Sequence, residues 1–160
     1  MKKKKSIKLR QILKPGSIVA VPRHLSGYYY LVHLTNNCFG ESFGLIDGHF
    51  LTTDLNESAL LKPYRKYVYT DSEYVRKQRW QIIGLRPDLL LYYPEDPEIF
   101  HRKSNNVDNP DIGDYGSAEN SEGILRSLTE EESKSIPLDS SYQYVLLESE
   151  VENFLNRQLN

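Results

Sequence analysis

Trp80, the only tryptophan, stands near the head of Arg79-Trp80-Gln81-Ile82-Ile83-Gly84, a run that passes through two β-branched residues and stops at a glycine. A run this short, bounded in this way, reads as a buried strand closing at a turn. Similar runs come before it. Pro15-Gly16 signals a turn, Ser17 to Val21 follows as a strand, and Pro22 confines that strand to a sheet edge or to its own end. After Ser26-Gly27, Tyr28 to Leu34 is aromatic and β-branched until Asn36-Asn37 breaks it. Phe39 to Ile46 is a weaker strand, because Gly40 and Gly44 inside it indicate a bulge or a close backbone approach. Asp47-Gly48 predicts a hairpin that returns through His49, Phe50 and Leu51.

The remaining signals alternate between helix and strand. Ser6 to Leu13 has the apolar spacing of a short helix, and Asp54 to Leu61 reads as a short helix or turn. Tyr64 to Tyr69 is a strand in which rings and aliphatics alternate with bases. Asp71 or Ser72 caps a short helix through Gln78, and Trp80 to Leu85 follows as a strand. Pro87, Pro94 and Pro97 punctuate a connection with an apolar stretch, Leu89 to Tyr93, ahead of a short strand at Ile99 to Arg102. From Ser104 to Glu122 the chain is rich in Asn, Asp, Gly and Ser, the composition of a long exposed acidic loop. Gly123 to Leu128 and Tyr142 to Leu147 are strand candidates, and Thr129-Glu130-Glu131-Glu132 has the form of a capped acidic helix start. Glu148 to Leu159 is the best helix. Val151, Phe154, Leu155 and Leu159 recur at helical spacing and acids fill the first turn. The expected fold class is α+β. Its N-terminal half is β-rich, a small curved sheet or an SH3-like barrel, and the C-terminal helix packs on it. Trp80, Ile82, Val19, Val21, Phe154 and Leu155 are the expected core.

A chain of 160 residues is long enough to bury a core without staples, and residues 15–160 read as one domain behind a basic segment, 1–14. Twelve tyrosines supplement a modest hydrophobic fraction of 39%. Cys38, the only cysteine, excludes an internal disulfide. No apolar run approaches the ~20 residues that cross a bilayer, and Lys8, Arg10 and Lys14 interrupt the stretch after the opening lysines. A soluble cytoplasmic chain is expected. The net charge of −2 conceals a strong asymmetry: residues 1–94 carry 15 Lys/Arg against 7 Asp/Glu, whereas residues 95–160 carry 5 against 15. Such a division indicates either an interaction surface or two halves attracting each other across one fold.

Catalytic signals are weak. His24, His33, His49 and His101 are scattered, with no partner at the i+2 to i+4 spacing of a local metal site, although pairing of their strands would bring His33 and His49 face to face. Cys38 has no nearby cation to activate it. Gly40, Gly44 and Gly48 lack the Lys-Ser/Thr of a phosphate loop, and the run Glu130-Glu131-Glu132 reads more readily as a solvated helix face than as acid–base machinery. No catalytic residue, metal or cofactor is assigned. A hydrolase using gathered histidines and carboxylates is one alternative. A nucleic-acid-binding module is another: Lys62 to Arg86 holds seven bases interleaved with Tyr64, Tyr67, Tyr69 and Tyr74, the cation-and-ring pattern of single-strand binders. An ordinary sheet with rings inward and lysines outward produces the same pattern, and the acidic half opposes a phosphate backbone.

Gly16-Ser17-Ile18-Val19-Ala20-Val21-Pro22, Gly27-Tyr28-Tyr29-Tyr30, the Arg79–Gly84 stretch and Val151-Glu152 in a final helix form an ordered series from about Lys14 to Leu159. The series resembles the immunity protein twenty-six family of bacterial polymorphic-toxin systems. Members of that family open with a strand ending in Ile-Pro, continue with Gly-Arg-Tyr and a second strand, carry Gly-Arg-Trp-Xaa-Ile-Ile-Gly, and end in a helix. This chain departs from the pattern at Tyr28, where arginine follows the glycine in the family, and at Gln78, in place of the glycine before Arg79. The resemblance implies an intracellular protein that binds and neutralises a cognate toxin, and no catalytic activity of its own is expected. Some relatives carry a phosphotriesterase label, for which these residues offer no recognisable metal site. Charge suggests a basic toxin, such as a nuclease, as the complement of an acidic face. The expected face is Asp108, Asp111, Asp114, Glu119, Glu122, Glu130, Glu131 and Glu132, with Tyr28, Tyr29 and Tyr30 as the alternative.

Overall fold

The computed structural model describes residues 11–101, 113–135 and 148–160. Its largest element is an open antiparallel sheet built from β1 (Ser17–Pro22), β2 (Tyr28–Asn37), β3 (Gly40–Asp47), β4 (Lys62–Thr70) and β5 (Gln81–Leu85), in the order β4-β3-β2-β1-β5. It does not close into a barrel. A second antiparallel sheet joins β6 (Ile99–His101), β7 (Ser117–Glu119) and β8 (Leu125–Ser127) in that order. Among the described residues, three α-helices, α1 (Glu73–Arg76), α2 (Glu130–Ser135) and α3 (Glu148–Leu159), and a 3-10 helix, Pro87–Tyr92, complete an α+β fold.

Both faces of the large sheet are covered, so its central strands are apolar on both sides rather than alternating. Val19, Val21, Tyr29, Leu31, Phe43, Leu45 and Val68 face one layer, where Trp80 and the helical residues Val75, Val151, Phe154 and Leu155 pack on them. Phe154 and Leu155 follow Val151 by three and four positions, which puts all three on one side of α3. Ile18, Ala20, Tyr30, Val32, Leu34 and Ile46 face the other layer, under Leu61, Leu89 and Tyr93. Gly44 lets Tyr93 lie directly on that face: a Cβ on residue 44 would stand 2.4 Å from the ring. The Tyr93 hydroxyl donates to the Leu45 carbonyl.

Trp80, Val19 and Val21 are buried as expected, but Ile82 is only half-buried because β5 is an edge strand. Gly84 does not end that strand. It pairs with Ile18, and a Cβ there would meet the Leu55 side chain at 2.3 Å. The free edge of β5 is closed by a side chain. Gln11 Nε2 donates to the Trp80 carbonyl (3.0 Å) and its Oε1 accepts from the Ile82 amide (2.7 Å), the pair of bonds a parallel strand would make across Gln81. The same Nε2 lies 3.1 Å from the Val75 carbonyl.

Other expectations are revised. Asp47-Gly48 does not fold β3 back on itself. Instead Phe50 forms a two-way backbone bridge with Tyr28, and its ring stacks on Tyr30 at 3.8 Å, so a non-local partner outweighs the local turn signal. Residues 54–61 contain no helix; Leu55 and Leu61 are drawn onto the sheet instead. Residues 11–13 are not helical, and the rest of the Ser6–Leu13 expectation lies outside the described residues, as does the Tyr142–Leu147 strand. The 104–122 segment is not wholly loop. Ser117 and Ala118 are buried in β7, the centre of the second sheet, while 104–112 lie outside the described residues.

Candidate functional site: the acidic face of the second sheet

The second sheet is built by turn chemistry. Gly116 has φ +92 and lies so close to β6 that a Cβ would fall 2.5 Å from the His101 carbonyl oxygen. Between β7 and β8, Asn120 Oδ1 accepts from the amides of Glu122 and Ile124 (both 3.0 Å), and Gly123 turns the chain at φ +77. β8 leads into α2, where Thr129 Oγ1 accepts from the Glu132 amide at 3.1 Å, the expected cap. Glu130, Glu131 and Glu132 occupy the first turn of α2, where the helix dipole favours acids.

One cation organises these acids. Arg126 on β8 grips Glu98 with Nε and Nη2 (2.9 Å each), and its Nη1 donates to Glu132 at 2.8 Å. The hydrogen bonds to Glu98, and secondarily to Glu132, hold its guanidinium protonation well above the usual arginine range. Arg126 therefore ties the chain entering β6, the strand β8 and the helix α2 into one unit. Beside it, His101 Nε2 and Glu119 Oε2 are 2.7 Å apart, Glu130 pairs with Lys134 at 3.1 Å, and Asp96 accepts from the Ser121 amide at 3.2 Å.

The predicted acids thus divide. Glu119, Glu130 and Glu132 are engaged with cationic or imidazole partners. Glu122 and Glu131 are exposed and make no side-chain pair among the described residues, and Asp114 is exposed. Asp108 and Asp111 lie outside the described residues. Glu98 and Asp96 were not anticipated, and no local motif announces them; they lie outside the 104–132 stretch and reach Arg126 and Ser121 only through the fold.

Tyr28, Tyr29 and Tyr30 do not form one face. They are consecutive strand residues, so Tyr29 and Tyr30 are buried on opposite sides of the sheet and Tyr28 is half-buried. The Tyr29 hydroxyl donates to Asn156 of α3, and the Tyr30 hydroxyl donates to the Thr52 carbonyl at 2.5 Å. Burial, reinforced by Asp54, raises the Tyr30 hydroxyl above its ordinary range. The rings of the basic stretch are likewise structural. Tyr67 and Tyr69 donate to the Glu98 and Pro97 carbonyls (2.6 and 2.5 Å), and Tyr74 stacks on Trp80; among these four tyrosines only Tyr64 is exposed. His33 and His49 do not meet. His33 is buried against Glu41, and His49 sits exposed against the Tyr29 ring. Among the described residues no three His, Cys, Asp or Glu side chains are disposed to hold a metal ion, and no helix is long and apolar enough to cross a membrane. No protein-family model, no curated protein and no solved structure matches the chain.

Proposed function

We propose that this chain is an immunity protein, a stoichiometric binder that neutralises a cognate bacterial toxin by presenting the acidic face of the second sheet and α2 to a basic partner. The observation that carries the reading is the gathering of Asp96, Glu98, Glu122 and Glu130–Glu132 on contiguous elements held together by Arg126. Salt bridges within the face fix its geometry, while Glu122 and Glu131 remain available to steer a cationic surface. The ordered motifs that resemble those of immunity protein twenty-six support the same reading. Three of them supply the adjacent strands β1, β2 and β5, and the fourth lies in α3. A binder of this kind needs a preorganised surface rather than a reacting group. The test is co-expression with the toxin domain encoded beside the gene. Protection of the host and a 1:1 complex on size exclusion are expected. Cell death together with no complex at low salt would overturn the proposal.

A further inference from the structure

We propose that His33, Glu41 and Asn36 form a proton-operated latch that seats the second sheet on the first. His33 and Glu41 are 3% and 6% exposed, with His33 Nε2 and Glu41 Oε2 2.5 Å apart. Asn36 Nδ2 donates to the other carboxylate oxygen at 2.7 Å. His33 Nδ1 is buried and has no hydrogen-bond partner. A proton on that nitrogen would be a buried donor with no acceptor, a rarer and costlier defect than an unused lone pair. The geometry therefore fits a neutral imidazole that donates its Nε2 proton to an ionised Glu41. A further proton has no good position. On Nδ1 it is orphaned, and on Glu41 it confronts the N–H groups already aimed at the carboxylate.

The latch sits where the two sheets join. Immediately after Asn36, Asn37 Nδ2 donates to the Tyr69 hydroxyl (3.0 Å), which donates to the Pro97 carbonyl just ahead of β6 (2.5 Å). Cys38 Sγ lies 3.2 Å from the Ser121 carbonyl in the β7–β8 turn. Loosening Glu41 from Asn36 frees the strand end that carries both links. On this side of the sheet the ionisable groups among the described residues include Lys66 on β4; Asp71, Glu73, Tyr74, Arg76, Lys77 and Arg79 before, along and after α1; Tyr29 on β2 with Arg23 and His49 against its ring; and Glu148, Glu150, Glu152 and Arg157 on α3. Among the described residues the His33 and Glu41 side chains bond to each other, and Glu41 also to Asn36. That acid would also weaken partner binding rests on the proposed function; the latch itself does not.

Ring nitrogen shifts and amide hydrogen exchange on the free full chain test the proposal. At about pH 7.5 the His33 shifts should report a neutral ring with its proton on Nε2. At about pH 5, after correction for intrinsic exchange, the amides of residues 37–40 and 120–123 should open ~10-fold more readily, while the β1–β2 pairing keeps its protection. The double variant His33→Gln, Glu41→Gln, which removes both groups that can take up the proton, should abolish that response. A ring protonated on Nδ1 at pH 7.5, unchanged opening of both segments at pH 5, or an undiminished response in the double variant would each overturn the latch. If the double variant does not fold, the two wild-type measurements decide. No partner is involved, so failure of the latch and failure of the immunity reading are separately visible.

Discussion

Trp80 is fully buried between Phe43, met edge-on at 6.0 Å, and Tyr74, stacked at 5.0 Å. Replacing it by alanine removes the largest side chain of the core where neighbouring rings cannot collapse into the space. A loss of ~3–5 kcal/mol in urea melts is expected, and a loss within ~1 kcal/mol would mean that this layer is not the core. Tyr69 gives a pH-dependent counterpart. Burial is the main cause pushing its hydroxyl up to about 12, from an ordinary value of 10.0, because the anion has no water in the fold. A folded value above the unfolded one means that stability is fully present below about pH 10 and is lost as pH rises towards about 12. Alkaline melts should show that decline. Tyr69→Phe, at the expense of the links to Asn37 and Pro97, should lessen it without removing it, because burial also raises the Tyr67 and Tyr93 hydroxyls. These positions differ in how far the sequence exposed them. A lone tryptophan before a β-branched run is legible as core, and a glycine inside a strand as a close approach, which Gly44 beneath Tyr93 bears out. The His33–Glu41 pair was not legible, because it depends on the β2–β3 register, which shifts between His33 and Thr35.

At the scale of elements, legibility follows the length and regularity of the pattern. α3 was readable because its apolar residues keep helical spacing over twelve residues. β7 was hidden because three residues, Ser117-Ala118-Glu119, carry too little pattern within a polar stretch. The turn at Asp47-Gly48 misled because Phe50 finds its partner on β2, outside any local window. The closure of β5 was also unreadable: nothing in the sequence marks Gln11 as a surrogate strand. Its importance can be measured. Gln11→Ala leaves the Trp80 carbonyl and the Ile82 amide without their partner at a half-buried edge, so a loss of ~1–3 kcal/mol is expected. Hydrogen exchange should locate the loss at Ile82 rather than in β2 or β3. An unchanged Ile82 amide would show that the edge is satisfied in another way.

For the whole molecule, the relevant quantity is charge and how it is kept apart. Lys77 and Arg76 pair with Glu73, Arg86 with Asp88, Lys134 with Glu130, and Arg126 with Glu98 and Glu132, each within its own half of the chain. Arg79–Glu148 does cross between the halves. Largely local pairing preserves the division seen in the sequence, so the acidic face keeps a field of its own. Exposed pairs of this kind add little stability, which leaves association as the property where the charge should be felt. Glu122 and Glu131 isolate the effect, because Glu132 and Glu98 cannot be altered without disturbing Arg126. Changing both to glutamine should leave the urea midpoint nearly unchanged and slow association with a basic partner ~3- to 10-fold at low salt. The difference should vanish near 1 M salt, where screening acts within ~3 Å. Stopped-flow measurements with the proposed toxin partner across a salt series would show this. An equal association rate for wild type and the double variant at low salt would place the partner on another surface.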